Sequence, residues 1–276
     1  MRRVELHHGA ATDVGLVRAM NEDSYLAAPP VFVVADGMGG HDHGDVASRI
    51  VVEEFARLAD LGLSDREDDV AAQAVAATFR GVQQRIAAYD EGERAAGNDS
   101  SSSGSTAVVA VLLEGSGVAR WLLANVGDSR IYRYDTGVLQ QVSVDHSVVQ
   151  ELVDAGSITA EQAHTHPSRN VITRALGGSD NGEPDFFLLP LVSAERILLC
   201  SDGVTGMVDD ARIEAILGAA DDPRNAAEEL VAAALAAGGR DNATAVVIDV
   251  VGLVNETTYD SDATRLSLEE KLGALP

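Results

Sequence analysis

The chain has 276 residues, 46% of them hydrophobic, and a formal net charge of -24 from 20 basic and 44 acidic side chains. Such a field repels nucleic-acid backbones and anionic membranes, and no basic patch offsets it, so neither is an expected partner. Cys200 is the only cysteine, which excludes an internal disulfide and a thiolate zinc cluster.

Arg2 and Arg3 are followed by no apolar stretch of signal-peptide type. The longest apolar runs, such as Ala107 to Leu113, fall far short of a membrane span. The expectation is therefore a soluble, cytoplasmic chain. No Pro/Gly/Ser-rich linker and no internal repeat divides it. One domain is expected over 1–253, with 254–276 a tail that is either a short helix or disordered.

In chain order, Val31 to Ala35 reads as a buried strand that ends in a Gly-rich turn, Asp36-Gly37-Met38-Gly39-Gly40. A helix carrying Val46, Ile50 and Leu58 follows. Val75, Phe79, Val82, Ile86 and Tyr89 step by four, three, four and three, which marks one face of a second helix. The acidic run Asp65 to Asp69 lies where the dipole of that helix favours negative charge.

After a polar loop at 97–103, Thr106–Leu113 and Ala119–Val126 read as adjacent strands, followed by Ser129–Tyr134 and Val138–Val142. Turns this short return the chain antiparallel, which argues against a Rossmann-type sheet. His146–Arg169 is polar and partly helical, a flap-like excursion from the sheet. Phe186–Pro190 and Arg196–Cys200 are further strands. Asp222-Pro223 caps a helix that runs to Gly238-Gly239, and Ala243–Val251 is the last strand. Antiparallel sheet with helices in pairs gives a layered α+β body.

Against this frame the chemistry sits at strand ends. Asp36, Asp128, Asp202 and Asp241 each stand beside an apolar strand, and Glu22 and Asp23 lie in RAMNEDS. Each alone is explained as a turn former. Together they point to a hard-metal centre, because aspartate is poorly suited to burial without a compensating cation. Carboxylate and carbonyl oxygens suit Mg²⁺ or Mn²⁺, and no HExxH zinc spacing is present. Arg18, in a segment short of other cations, is the candidate for binding an anionic phosphoryl group, with a salt bridge to Glu22 or Asp23 as its alternative. Ser105 and Thr106 form no nucleophile elbow and are expected to hydrogen-bond locally beneath the site. Trp121 is expected in the core or at its boundary.

The motifs together resemble the metal-dependent protein serine/threonine phosphatases of the PPM, or PP2C, family, most closely its compact bacterial members. The segments that carry the resemblance are Thr12 to Arg18 with Asn21-Glu22-Asp23, Val34 to His41, Gly104 to Ala107, Asn125 to Arg130, Asp145-His146-Ser147, Ile172 to Gly177, Ser201 to Val204, and Asp241 to Thr244. They stand in family order.

The resemblance implies a four-layer α/β/β/α sandwich, two antiparallel sheets flanked by antiparallel helix pairs. It implies metal-dependent hydrolysis of phosphoserine and phosphothreonine in proteins, by a metal-bridged water that attacks phosphorus with no covalent intermediate. Asp36 would bridge two ions, with the Gly37 carbonyl, Asp202 and Asp241 completing them. Asp128 with Asp202 would match a weaker third position. Glu22 and Asp23 would act through bound waters, and Arg18 would hold the substrate phosphate.

Animal-type members carry a histidine two residues after the bridging aspartate. Here Met38 stands there, as in bacterial relatives. His41, His146, His164 and His166 are then weighed for a substrate or flap role against a structural one. The implied partners are phosphorylated proteins and an opposing Ser/Thr kinase, with the chain a monomer. Two other classes remain to be weighed: a phosphoprotein-binding relative without catalysis, and a metal-dependent nuclease, which the charge and the absent basic groove oppose.

Overall fold

Val31 to Ala35 is buried without a break, and alternation explains how one strand serves two cores. Val31, Val33 and Ala35 face a cluster shared with two helices, whereas Phe32 and Val34 face the opposite side. The last strand divides in the same way. Ala243, Ala245 and Val247 face one core, and Val246, Ile248 and Val250 face another. The near-continuous hydrophobic runs of the sequence are thus strands buried on both faces.

The computed structural model describes residues 2–39, 43–98, 102–115, 118–178, 182–192 and 194–255. The first elements are β1 (Arg2–Asp13), β2 (Asp23–Ala28), β3 (Val31–Gly39), α1 (Gly44–Ala59) and α2 (Asp68–Ala95). Next come β4 (Ser103–Ser105), β5 (Ala107–Leu113), β6 (Arg120–Val126), β7 (Arg130–Asp135) and β8 (Val138–Gln141). The excursion holds α3 (Val148–Asp154) and α4 (Ala160–Ala163), and β9 (Leu176–Gly177), β10 (Asp185–Pro190) and β11 (Arg196–Cys200) follow it. The chain closes through α5 (Asp202–Thr205), α6 (Asp210–Ala219), α7 (Pro223–Ala236) and β12 (Ala243–Asn255).

One sheet has the order β1-β12-β11-β7-β8, and the other β10-β6-β5-β3-β4-β9 with β2 beside β3. The pairings within both sheets are antiparallel. Three cores separate four layers. One lies between α1/α2 and the larger sheet, one between the sheets, and one between the smaller sheet and α6/α7. The α+β sandwich expected from the sequence is the observed architecture.

The differences are local. Gly37, Met38 and Gly39 continue β3 and pair with β4 rather than forming a turn. A side chain at Gly37 would stand 2.1 Å from the Gly44 carbonyl oxygen and 2.5 Å from that of Glu22, so only glycine lets the strand pass. β1, β2, β9 and α6 are elements the sequence pattern did not single out. β1 is an edge strand whose residues mix His7, His8, Gly9 and charges, and it shows no clean alternation. Asp222 caps α7 as expected, accepting from the backbone N–H groups of Arg224 and Asn225. β12 runs to Asn255, past the expected boundary at 253. The tail expected beyond it lies outside the described residues from 256 onward.

Trp121 is fully buried between the sheets, and its indole N–H donates to Glu195. No helix among the described residues is long and apolar enough to cross a membrane. The helical layer on the larger sheet is held by an edge-to-face pair, Phe55 of α1 on Phe79 of α2, with centroids 5.1 Å apart. Phe79→Ala is expected to lower stability by about 3–5 kcal/mol in urea titration, because a buried aromatic leaves a cavity the two helices cannot close. A loss below about 1 kcal/mol would contradict this packing.

Candidate metal and phosphate site

The antiparallel order brings several chain reversals to one rim of the sandwich. Asp23 opens β2 directly opposite Asp36 near the end of β3. Asp202 follows the end of β11, Asp241 precedes β12, and Asp128 lies between β6 and β7. The register pairs Cys200 with both Arg130 and Ala245, which places those last three reversals together. Residues remote in sequence thus meet because strand ends meet.

The main chain beneath this cluster is fixed by hydroxyls. Thr106 Oγ1 accepts from the Asp36 N–H at 3.1 Å and lies 2.7 Å from Ser129 Oγ. Ser105 Oγ and the Thr106 N–H both donate to the Asp36 carbonyl. Ser105 and Thr106 therefore hold Asp36 locally, as expected, and leave its carboxyl aimed outward from the sheet end. Asp23 Oδ2 accepts from Ser201 Oγ at 2.8 Å.

The electrostatics of the cluster are unfavourable unless compensated. Burial pushes the Asp36 carboxyl well above the usual carboxylate range, and repulsion from Asp23, Asp202 and Asp128 adds to it. Burial likewise raises Asp202, and the charge of Asp241 adds to it. Asp23 and Asp128 are each pushed up to about 7, again mainly by burial and then by neighbouring carboxylates.

Arg18 supplies part of the positive charge. Its Nη2 donates to Asp241 Oδ2 at 2.7 Å, and the carboxylates raise its own pKa, led by that hydrogen bond. The partner is Asp241, not Glu22 or Asp23. The loop that carries Arg18 is anchored by Asn242, which donates to the carbonyls of Val14 and Met20 and accepts from the Glu22 N–H. Glu22 in turn accepts from the Gly44 N–H in the first turn of α1.

The residues present fit a pair of divalent cations. Asp23 Oδ1 and Asp128 Oδ1 are buried oxygens without a hydrogen-bond partner, which native proteins tolerate rarely. Carboxylates, a glycine carbonyl and space for water are the donor set of Mg²⁺ or Mn²⁺. Among the described residues no three His, Cys, Asp or Glu side chains lie together closely enough to hold an ion by themselves.

Arg18, Glu22, Asp23, Asp36, Gly37, Asp128, Asp202 and Asp241 are thus brought to one rim. Of the histidines, His146 and His166 are not. His146 is 5% exposed and hydrogen-bonded within the fold, so the substrate role considered for it is replaced by a structural one. His166 accepts from the Ser168 N–H. His164 is exposed on the wall of a cavity of about 520 Å³ between the excursion and the rim, together with Asp128, Asp202, Asp241 and Arg169. His41 lies outside the described residues.

Sequence reasoning gave no role to Asn242 or to the buried hydroxyl of Ser201, although both lie inside quoted motifs. It also missed that Arg130, on the cavity wall, is held by Asp145 through its Nε and Nη2 groups. Contacts across 15 to 220 residues leave no periodic signal, and only the motif context marked them.

A four-layer sandwich with a carboxylate-lined rim and a guanidinium beside it defines a structural class, and comparison with known proteins specifies it. The chain belongs to the protein phosphatase 2C family, whose family model matches residues 18–237. It is 42% identical over 248 residues to the serine/threonine protein phosphatase PstP of Mycobacterium tuberculosis, covering 89% of this chain and 45% of that protein. It therefore spans about half the length of that relative. The serine/threonine phosphatase stp of Listeria innocua is 36% identical over 257 residues, covering 88% of this chain and 96% of that one. Among solved structures, the catalytic domain of PstP in complex with two manganese ions superposes with a TM-score of 0.79 at 38% identity. That match covers 91% of this chain and 100% of the other.

The raised carboxyls give a pH dependence of stability whose sign can be worked out. Asp23 and Asp128 bind protons in the folded protein up to about pH 7 and in the unfolded chain only to about pH 4. Their contribution is fully present below pH 4 and is lost as pH rises through 7. In EDTA, Tm is expected to fall between pH 5 and 8, and Mn²⁺ is expected to restore it most at the alkaline end. Scanning calorimetry that found a metal-free Tm rising across this window would contradict the assignment.

Proposed function

We propose that the chain is a metal-dependent protein serine/threonine phosphatase that hydrolyses phosphoserine and phosphothreonine by direct attack of water on phosphorus. One observation carries the reading. Asp23, Asp36, Asp128, Asp202 and Asp241 converge beside Arg18, and Asp23 Oδ1 and Asp128 Oδ1 are buried there without a hydrogen-bond partner. The family membership and the manganese-bound neighbour support the same conclusion.

Asp36, the Gly37 carbonyl, Asp202 and Asp241 would hold a pair of Mn²⁺ or Mg²⁺ ions. Asp128 with Asp202 would offer a further, weaker position. When bound, such a pair of ions supplies Lewis-acid charge and a water of lowered pKa. Glu22 and Asp23 orient water from beneath, since Asp23 is held by Ser201 and Glu22 by the α1 N-terminus.

Arg18 holds the phosphoryl group. Its bond to Asp241 is half exposed and contributes little on its own, so exchange for a phosphate costs little. The planar fork matches phosphate oxygens in bidentate fashion. Met38 donates no proton, and His146 is buried with both ring nitrogens hydrogen-bonded within the fold. Protonation of the leaving group is assigned to water, with His164 on the cavity wall as the other donor.

The cavity between the rim and the excursion accommodates the chain around the phosphorylated residue. Phosphoproteins are the substrate class, and an opposing Ser/Thr kinase, action as a monomer and a cytoplasmic location complete the proposal. The nuclease alternative finds no support, because the -24 charge opposes a polyanion at long range.

Phosphate release from a phosphothreonine peptide should require Mn²⁺ or Mg²⁺, and undiminished turnover in excess EDTA would overturn the proposal. Asp36→Asn is expected to cost about 10²–10³-fold in kcat, as removal of one preorganised electrostatic group does. Arg18→Ala should act mainly on KM, raising it about tenfold to a hundredfold, the worth of one or two charge-assisted hydrogen bonds. An unchanged KM would remove Arg18 from phosphate binding.

A further inference from the structure

The turn that presents Asp128 is held by groups that take no part in the chemistry above. Gly127 adopts φ +102, and a side chain there would stand 2.5 Å from the Thr106 methyl, so the turn has one conformation and no room to shift inward. Its carbonyl accepts from the His146 N–H at 3.0 Å and from Asn125 Nδ2 at 3.3 Å. Its N–H donates to His146 Nδ1 at 3.1 Å. Because Nδ1 is the acceptor, Nε2 of the neutral ring carries the proton and donates to Asp185 Oδ2 at 3.1 Å. The other oxygen of Asp185 accepts from Arg174 Nη1 at 2.8 Å.

The same histidine joins both ends of the excursion. The Thr173 N–H donates to the His146 carbonyl, the Val148 N–H to the Val171 carbonyl, and Ser147 bridges Ile172. The two stalks of the flap are thus clamped at the residue that grips Gly127. Asp185 and Arg174 are 42% and 45% exposed, so the far end of the chain of bonds lies at the surface while its near end is buried. The orphaned Asp128 Oδ1 lies one residue beyond the gripped amide.

We propose that His146 is a positioning residue: the series Arg174–Asp185–His146 fixes the Gly127 amide and thereby aims the Asp128 carboxylate at its cation position, tying that aim to the base of the flap. This rests on the reading of Asp128 as a ligand. His146 touches neither substrate nor ion and acts through the main chain. A partner of this kind usually changes metal affinity without being a ligand. The consequence is a weakest divalent site whose affinity depends on an ion pair at the protein surface.

The test uses the full chain and four variants: His146→Leu, His146→Asn, Asp185→Ala and Arg174→Ala. Asn places an amide oxygen near the Nδ1 position and preserves the acceptor for Gly127, whereas Leu removes it. Amide hydrogen exchange at Gly127 is read by NMR, and Mn²⁺ affinity at the weakest site by calorimetry.

His146→Leu and Asp185→Ala are expected to lose Gly127 protection and to weaken that site about tenfold. Arg174→Ala should do so by a smaller factor, and His146→Asn, which keeps the acceptor for Gly127 but not the bond to Asp185, should restore part of both. Asp185 lies at the surface, so its variant folds even if His146→Leu does not. Unchanged Gly127 exchange in Asp185→Ala would overturn the proposal. So would altered exchange with unchanged Mn²⁺ affinity, or failure of Asn to rescue. Absence of all Mn²⁺ binding by the parent protein would instead overturn the reading of the site, and the exchange data would still report on the hydrogen-bonded series.

Discussion

Mutual repulsion among clustered carboxylates is the constraint on which this structure turns. Asp23 and Asp128 are buried, and Asp36, Asp202 and Asp241 are half-buried around them at the sandwich rim. Like charges interact more strongly there than at a fully exposed surface. A protein that only needed to fold would replace some of these groups with amides or apolar side chains. Their retention in one place is explained by a ligand with high positive charge density. The guanidinium of Arg18, bound to Asp241, offsets only a fraction of the total.

The rest of the fold supplies rigidity around that repulsion. Two antiparallel sheets, each with strand interiors buried on both faces, bring distant reversals to a common end. Small polar groups then fix the backbone: Thr106 and Ser105 under Asp36, Ser201 under Asp23, and Asn242 under the Arg18 loop. Each satisfies a main-chain or carboxyl group that would otherwise be left unpaired. Preorganisation of this kind is what lets charged groups act on a transition state without first reorganising. The helical excursion closes the far side of the cavity and is anchored through His146 to the same rim.

The sequence made the centre of this structure readable and left its margins obscure. Uninterrupted apolar runs such as Val31–Ala35 and Arg196–Cys200 reported strands buried on both sides. The helical step of Val75 to Tyr89 reported α2. The aspartates were legible because each followed or preceded such a run. β1 was not, because an edge strand with histidines and charges shows no alternation of its own and is stabilised by pairing with β12.

The Gly37–Gly39 segment was misjudged as a turn because glycine marks both turns and close strand approaches, and only the neighbouring carbonyls decide which. His146 was weighed for a substrate role against a structural one, and the partners that decide it, Gly127 and Asp185, lie 19 and 39 residues away. Arg18 was singled out from the sequence as a phosphate-binding cation, and the structure sets it beside the carboxylates. Its partner Asp241 is 223 residues distant and follows from topology alone.

The most direct measurement is anomalous diffraction at the manganese edge from crystals of the full chain grown with Mn²⁺. The account predicts two strong peaks roughly 4 Å apart, bounded by the Asp36 carboxylate, the Gly37 carbonyl, Asp202 and Asp241. Strong peaks elsewhere on the acidic surface, with none between Asp36 and Asp202, would contradict it.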